Sequence, residues 1–313
     1  MFDEQAVIIL GAGASIPYGF PSGKELRKRI CDSFVEKLKK YLPHAQSSYY
    51  LHPDILFKAE EFVERFRNSS NISIDLFLSR NTNFRKIGKT AILLEILDAE
   101  AQSKFHEDVI NAEHDWYSFL FEQMTDELTG PENYNISPNK IFIITFNYDR
   151  SLEHFLFNSV INSFGDIEQH LLIDELKKIP IIHVYGKLAD LHWQNKTDSL
   201  AYGQNSDVLI PDNYLTNINV IYEDRDREKY KNIHAMIADS KYIYFLGFGY
   251  ARENLQVLSL PEILKPNQHI YGTAFGYYEE EITKLSKRFL RDKKLHNLRF
   301  MNCDNLELLR RLF

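Results

Sequence analysis

The sequence predicts an α/β fold: a doubly wound parallel sheet of about six strands, covered by helices and interrupted once by a long helical insertion. Three observations predict it. Short, apolar, β-rich runs recur along the chain, helical patterns lie between them, and the one interval that breaks the alternation, about residues 24 to 130, carries helical spacing and no convincing strand.

Ala6 to Leu10 (AVIIL) is continuously apolar and closes at Gly11, as a strand buried on both faces does. Ile141 to Phe146, Ile179 to Tyr185, Tyr242 to Phe248 and His269 to Thr273 share that look, and Leu298 to Met301 is a weaker sixth. Helices are expected around residues 150–162, 223–239, 278–290 and 304–312. Within the long interval, Phe62 with Phe66 and Ile92 with Ile96 keep helical spacing among many charges. Ser22 and Glu25 have the spacing of a capping box that opens its first helix. The expected division is a sheet domain from 1–23 and 138–313, with 24–137 as a helical insertion. The mixed run from Glu223 to Lys229 reads as a solvated helix face.

Composition narrows the partners. At 313 residues, 44% hydrophobic and 26% charged, the chain can bury a large core and is not expected to be disordered. A net charge of -7 argues against nucleic acid or an anionic membrane surface as the main partner. Cys31 and Cys303 are the only cysteines, too few for a disulfide framework or a four-cysteine zinc site, so a reducing cytoplasm is the expected location. The acidic start reads as neither a secretory signal nor a transit peptide, and no apolar run is long enough to span a membrane. His44 with His52, His106 with His114 and His183 with His192 show no tight ligand spacing, so no metal is expected.

Four clusters carry chemistry, each at the carboxyl end of an expected strand, the edge where open α/β sheets bind ligands. Gly11, Ala12, Gly13, Ala14 and Ser15 form the first, followed by Gly19-Phe20-Pro21-Ser22-Gly23. Glycines there let backbone N–H groups approach a phosphate closely. Ile16 stands where the dinucleotide fingerprint has its third glycine, which disfavours an ordinary NAD-dependent dehydrogenase. The second cluster is Thr145-Phe146-Asn147-Tyr148-Asp149. Asn147 offers a donor and an acceptor to hold sugar hydroxyls and place a water, as cleavage through an oxocarbenium-like centre requires. Asp149 can do similar work or simply cap the helix that follows. The third is His183-Val184-Tyr185-Gly186, where strand alternation puts His183 and Tyr185 on one face. His183 is a candidate base or a hydrogen-bonded core residue. The fourth is Gly247-Phe248-Gly249-Tyr250, with Asn254 downstream.

In this order the pieces GAGAS with GFPSG, TFNYD, HVYG and FLGFGY, spread from residue 11 to 250, resemble the sirtuin-like NAD-consuming domains, particularly the bacterial branch of anti-phage defence systems. The resemblance implies a Rossmann-like sheet and NAD as substrate. Gly11, Ala12, Gly13 and Ser15 would then line its phosphate side and Asn147 its nicotinamide ribose, with Asp149 matching the family's acidic residue. Thr145, Tyr185, Gly247 and Gly249 are expected to border the same ligand, and Asn147, His183 and Asp149 to be catalytic. Tyr185 stands where the family has its catalytic histidine, and the zinc ribbon of the family's deacylases has no cysteines here. Hydrolysis of NAD+ is therefore expected over peptide deacylation, with depletion of NAD+ in defence as the role and activation by a partner subunit or self-assembly as the control. The alternative is a catalytically weak NAD- or ADP-ribose-binding subunit of a larger complex.

Overall fold

A computed structural model describes residues 2–45, 49–70, 73–105, 114–130, 133–204, 213–221, 223, 227–290, 295 and 297–313. His106 of the second histidine pair and 224–226 of the mixed-charge run lie outside the described residues.

Among the described residues the chain opens with β1 (Ala6–Leu10) and then gives five α-helices before returning to the sheet: α1 (Gly23–Tyr41), α2 (Ile55–Asn68), α3 (Ile74–Arg80), α4 (Arg85–Ala101) and α5 (Trp116–Thr125). It continues as β2 (Ile141–Thr145), α6 (Ser151–Ser163), α7 (Gln169–Lys177), β3 (Ile181–His183), α8 (Asn213–Asn217), α9 (Arg227–Asp239) and β4 (Tyr242–Leu246). It ends with α10 (Arg252–Val257), β5 (His269–Thr273), α11 (Glu279–Leu290), β6 (Asn297–Met301) and α12 (Asn305–Leu312).

The six strands form one parallel sheet in the order β3-β2-β1-β4-β5-β6. This is the Rossmann-like α/β fold the sequence predicts, with the helical stretch between β1 and β2. Apolar runs rather than alternating ones form its central strands because both faces are covered. Val7 and Ile9 join an apolar cluster with α1 to α4, while Ile8 and Leu10 join a second one with α5, α6 and α12. The expected capping residue works by half: Ser22 Oγ accepts the Glu25 N–H at 3.1 Å, but the Glu25 carboxylate turns to Arg29 Nε at 3.3 Å instead of reaching back. Helices α7 and α8 lie where no helix is expected from the sequence, being too short for a clear apolar period.

Pairing is level at one edge. Leu10 lies opposite both Thr145 and Leu246, and Thr145 lies opposite His183. The chain therefore leaves four neighbouring strands at the same height, through Gly11, Phe146, Val184 and Gly247. β3 stops at His183, two residues short of the expected end, and a turn begins at Val184 that leads to Gly186 at φ 77°.

Candidate functional site

From β1 the strand order runs one way through β2 and β3 and the other way through β4, so the edge beyond β1 and β4 is the topological switch point of the sheet. The first and fourth clusters meet there, backbone to backbone. The Gly11 N–H donates to the Leu246 carbonyl at 3.1 Å and the Gly13 N–H to the Gly247 carbonyl at 3.0 Å. A Cβ on Gly11 would stand 2.5 Å from the Gly247 oxygen, and one on Gly247, at φ 58°, 2.1 Å from the Ala14 nitrogen. These glycines are required by loop packing, before any ligand is considered.

That packing corrects the expectation of a cradle of available amides. The N–H groups of Gly11 and Gly13 face the β4 loop, and those of Ala14 and Ser15 close tight turns onto Gly11 and Ala12. Among the described residues, Ala12 is the one amide of the loop without an acceptor. Gly249 differs from Gly247, since a Cβ there meets nothing within 4 Å. Gly247→Ala is therefore expected to cost at least about 1–2 kcal/mol from the left-handed backbone alone, and more once the clash is included. Gly249→Ala should be near neutral, and thermal melting of the two variants checks the contrast.

Asn147 sits against the same loop. Its side-chain nitrogen donates to the Gly11 carbonyl at 3.1 Å and to Ser15 Oγ at 3.0 Å, which uses both amide hydrogens. Its backbone N–H donates to Thr145 Oγ1 at 3.1 Å, so the threonine fixes the turn rather than facing a ligand. Asn147 is thus an acceptor toward any ligand, through Oδ1, and not the donor-acceptor pair the residue type alone suggests. Asp149 Oδ1 accepts the Ser151 N–H at 3.1 Å and the Ser151 hydroxyl, in front of α6. Burial pushes the Asp149 carboxyl above its ordinary value, against the pull of hydrogen bonds from Ser151 and Ser15. Asp149 thereby ties the turn after β2 to the first residue of α6.

His183 is held on both sides. Nδ1 lies 2.8 Å from the Asn147 carbonyl oxygen and Nε2 lies 2.8 Å from Glu153 Oε1 on α6. The carbonyl can only accept. Burial raises the Glu153 carboxyl, but the charge and hydrogen bond of His183 and the charge of Lys187 outweigh it and bring it down to about 2. Glu153 is thus ionised, and both ring nitrogens of His183 are engaged by oxygen partners. His183 thereby braces β3 against α6 and the Asn147 backbone.

A folded carboxyl depressed from 4.5 to about 2 contributes stability that is complete above about pH 4.5 and lost as pH falls through about 2. The size is on the order of 3 kcal/mol. Urea midpoints measured from pH 5 to 2 should fall more steeply for the parent than for Glu153→Gln.

Tyr185 does not share a face with His183. The strand alternation ends at His183, and the turn carries Tyr185 to the apolar cluster on the opposite side of the sheet from Glu153. There its hydroxyl donates to Asn254 Oδ1 of α10 at 2.9 Å, and its ring packs edge-on to Phe146 at 5.4 Å. Phe146 in turn meets Phe248 at 5.2 Å. The residues after β2, β3 and β4 are thereby joined across the edge. Asn147, Asp149, Ser15, Tyr185 and Phe248 are all buried.

Several contributors escaped sequence reasoning. Glu153 is one, and α5 supplies two more: Trp116 Nε1 donates to the Ala14 carbonyl at 2.8 Å, and the Tyr117 hydroxyl lies 2.8 Å from Ser151 Oγ. Arg150, next to Asp149 in sequence, and Glu100 form a buried ion pair. Their partners are separated by tens of residues, and no local spacing announces them. A cavity of about 570 Å³ bordered by Glu153, Pro180 and Trp193 lies beside β3, away from the glycine loops. Among the described residues, no group of three or more His, Cys, Asp or Glu is arranged to hold a metal, and no helix is long and apolar enough to cross a membrane.

No family model and no curated protein matches this sequence. Solved structures do align along it. Sir2Tm bound to a propionylated peptide is 13% identical, with 98% of this chain and 91% of that chain covered and a TM-score of 0.40. Sir2 in complex with the inhibitor EX-527, 2′-O-acetyl-ADP-ribose and deacetylated p53 peptide is 13% identical over 98% and 92%, also at 0.40. A sirtuin solved for the basis of its substrate affinity is 14% identical over 98% and 91%, again at 0.40. Overlap at that score is too low to transfer any property of those proteins to this chain.

Proposed function

We propose that this protein binds NAD+ across the edge beyond β1 and β4 and hydrolyses its nicotinamide–ribose bond, releasing nicotinamide and ADP-ribose. The observation that carries the reading is Asn147, whose amide hydrogens are both spent on the first glycine loop while Oδ1 remains as an acceptor. An acceptor fixed beside the switch point suits a ribose hydroxyl or a water poised near the anomeric carbon. Asp149, pushed upward by burial, is the carboxylate nearest in sequence to take the water's proton in place of His183.

The resemblance of the four clusters to sirtuin-like domains of anti-phage systems extends the reading to a cytoplasmic effector that depletes NAD+. Such an activity needs control. Burial of Asn147 and Asp149, with the Tyr185–Asn254 hydrogen bond spanning the edge, supports an isolated chain that is closed and is opened by a partner subunit or by self-assembly.

A second reading, an NAD- or ADP-ribose-binding subunit with little turnover, is favoured by the same His183 geometry, since both ring nitrogens are held by Asn147 and Glu153. Incubation with NAD+ over a range of protein concentrations, alone and with cell extract from an infected host, separates the two by assay of free nicotinamide. Release that rises with assembly or extract is the expected outcome. Saturable NAD+ binding without nicotinamide under every condition would leave the binding subunit as the function.

A further inference from the structure

We propose that Tyr117, carried by α5 from outside the sheet, is a positioning residue that locks Asn147 and Asp149 in register. This rests on the reading of Asn147 and Asp149 as the reacting edge, and concerns a residue to which that reading gives no role.

Tyr117 and its neighbour Trp116 are buried at the first turn of α5, where Asp115 caps the helix by accepting the Ser118 N–H at 3.2 Å. The two side chains reach different loops of the site. Trp116 Nε1 donates to the Ala14 carbonyl at 2.8 Å, which holds the glycine loop. The Tyr117 hydroxyl lies 2.8 Å from Ser151 Oγ. Ser151 spends its own hydroxyl proton on Asp149 Oδ1, so the tyrosine is the donor in that pair. Ser15 Oγ accepts from Asn147 at 3.0 Å, and the Ser15 hydroxyl also holds the Asp149 carboxyl down.

Two donor chains therefore end on one carboxylate: Tyr117 through Ser151, and Asn147 through Ser15. Removing the tyrosine hydroxyl leaves the Ser151 oxygen short of a donor and loosens its hold on Asp149, a change that passes through Ser15 to the amide of Asn147. The ring itself is fixed independently by stacking on Tyr18 at 3.9 Å, and the Tyr117 N–H donates to the Tyr18 hydroxyl at 2.8 Å. Tyr117→Phe should accordingly keep α5 in place.

The test compares the parent with Tyr117→Phe on the full chain. Two readouts are taken: hydrogen exchange of the Asn147 side-chain amide by nuclear magnetic resonance, and nicotinamide release against NAD+ concentration. Faster exchange of that amide by about 10-fold, with backbone amides of α5 unchanged, is expected. So is a fall in kcat of about 10-fold with KM held within a factor of about two. Unchanged side-chain exchange overturns the positioning role whether or not NAD+ is cleaved. Equal loosening of α5 overturns it too, because the tyrosine would then be a packing residue. A parent that releases no nicotinamide counts against hydrolysis alone, since the amide exchange still decides the role of Tyr117.

Discussion

Arg150→Met is expected to lower the stability of the fold by about 3–5 kcal/mol, the usual cost of leaving one member of a buried ion pair without its partner. Arg150 and Glu100 are both 0% exposed at their side chains. The guanidinium is bidentate, with Nε 3.0 Å from Glu100 Oε1 and Nη2 2.6 Å from Oε2. Its third nitrogen donates to the Leu200 carbonyl at 2.7 Å, which anchors the segment after β3. Removing the arginine strands a fully buried carboxylate and leaves that carbonyl unpaired. The double variant Arg150→Met/Glu100→Met removes both charges and should regain much of the loss. Urea denaturation at neutral pH compares the three proteins. A single variant within about 1 kcal/mol of the parent would mean that the pair is solvated in solution.

Asn147→Ala is expected to reduce nicotinamide release by about 10²-fold or more if the side chain positions the reacting water or ribose. The same change removes one of two donors to the Gly11 carbonyl, which keeps the Ala14 N–H, and the donor to Ser15 Oγ, at about 0.5–1.5 kcal/mol for each bond. Rates should therefore be measured well below the melting transition, with circular dichroism confirming the folded state. Asn147→Asp sharpens the result. It keeps an acceptor in place but sets a carboxylate against the Gly11 carbonyl oxygen, where the amide donated at 3.1 Å. Loss of turnover in both variants points to the oriented amide rather than to polarity in general. An alanine variant that cleaves NAD+ at the parental rate removes Asn147 from the chemistry.

The order of the elements was readable from the chain because buried strands advertise themselves. AVIIL, IFIIT and YIYFL are apolar on both faces, and each became a central strand at nearly the expected bounds. The convergence of four glycine- and asparagine-bearing clusters was readable as well, since parallel strands deliver all their carboxyl ends to one edge. Geometry inside the site was not. Alternation put His183 and Tyr185 together, but the strand ends at His183 and the following turn sends Tyr185 to the other face. The partner that holds His183, Glu153, lies 30 residues earlier in sequence on a different element, where no strand pattern shows it. The glycine loop looked like a phosphate cradle, yet most of its amides close onto Leu246, Gly247 or the loop itself. Such pairings depend on tertiary contacts that no local pattern encodes.

Gly247, Asn147 and Tyr117 give one edge three supports from distant parts of the chain, and the claim that unites them is that a dinucleotide occupies that edge. Hydrogen exchange followed by mass spectrometry, with and without saturating NAD+, tests it directly. Slower exchange confined to peptides covering residues 10–20, 145–151 and 246–254 is the expected result. Protection that falls elsewhere, or none at any NAD+ concentration, would contradict it.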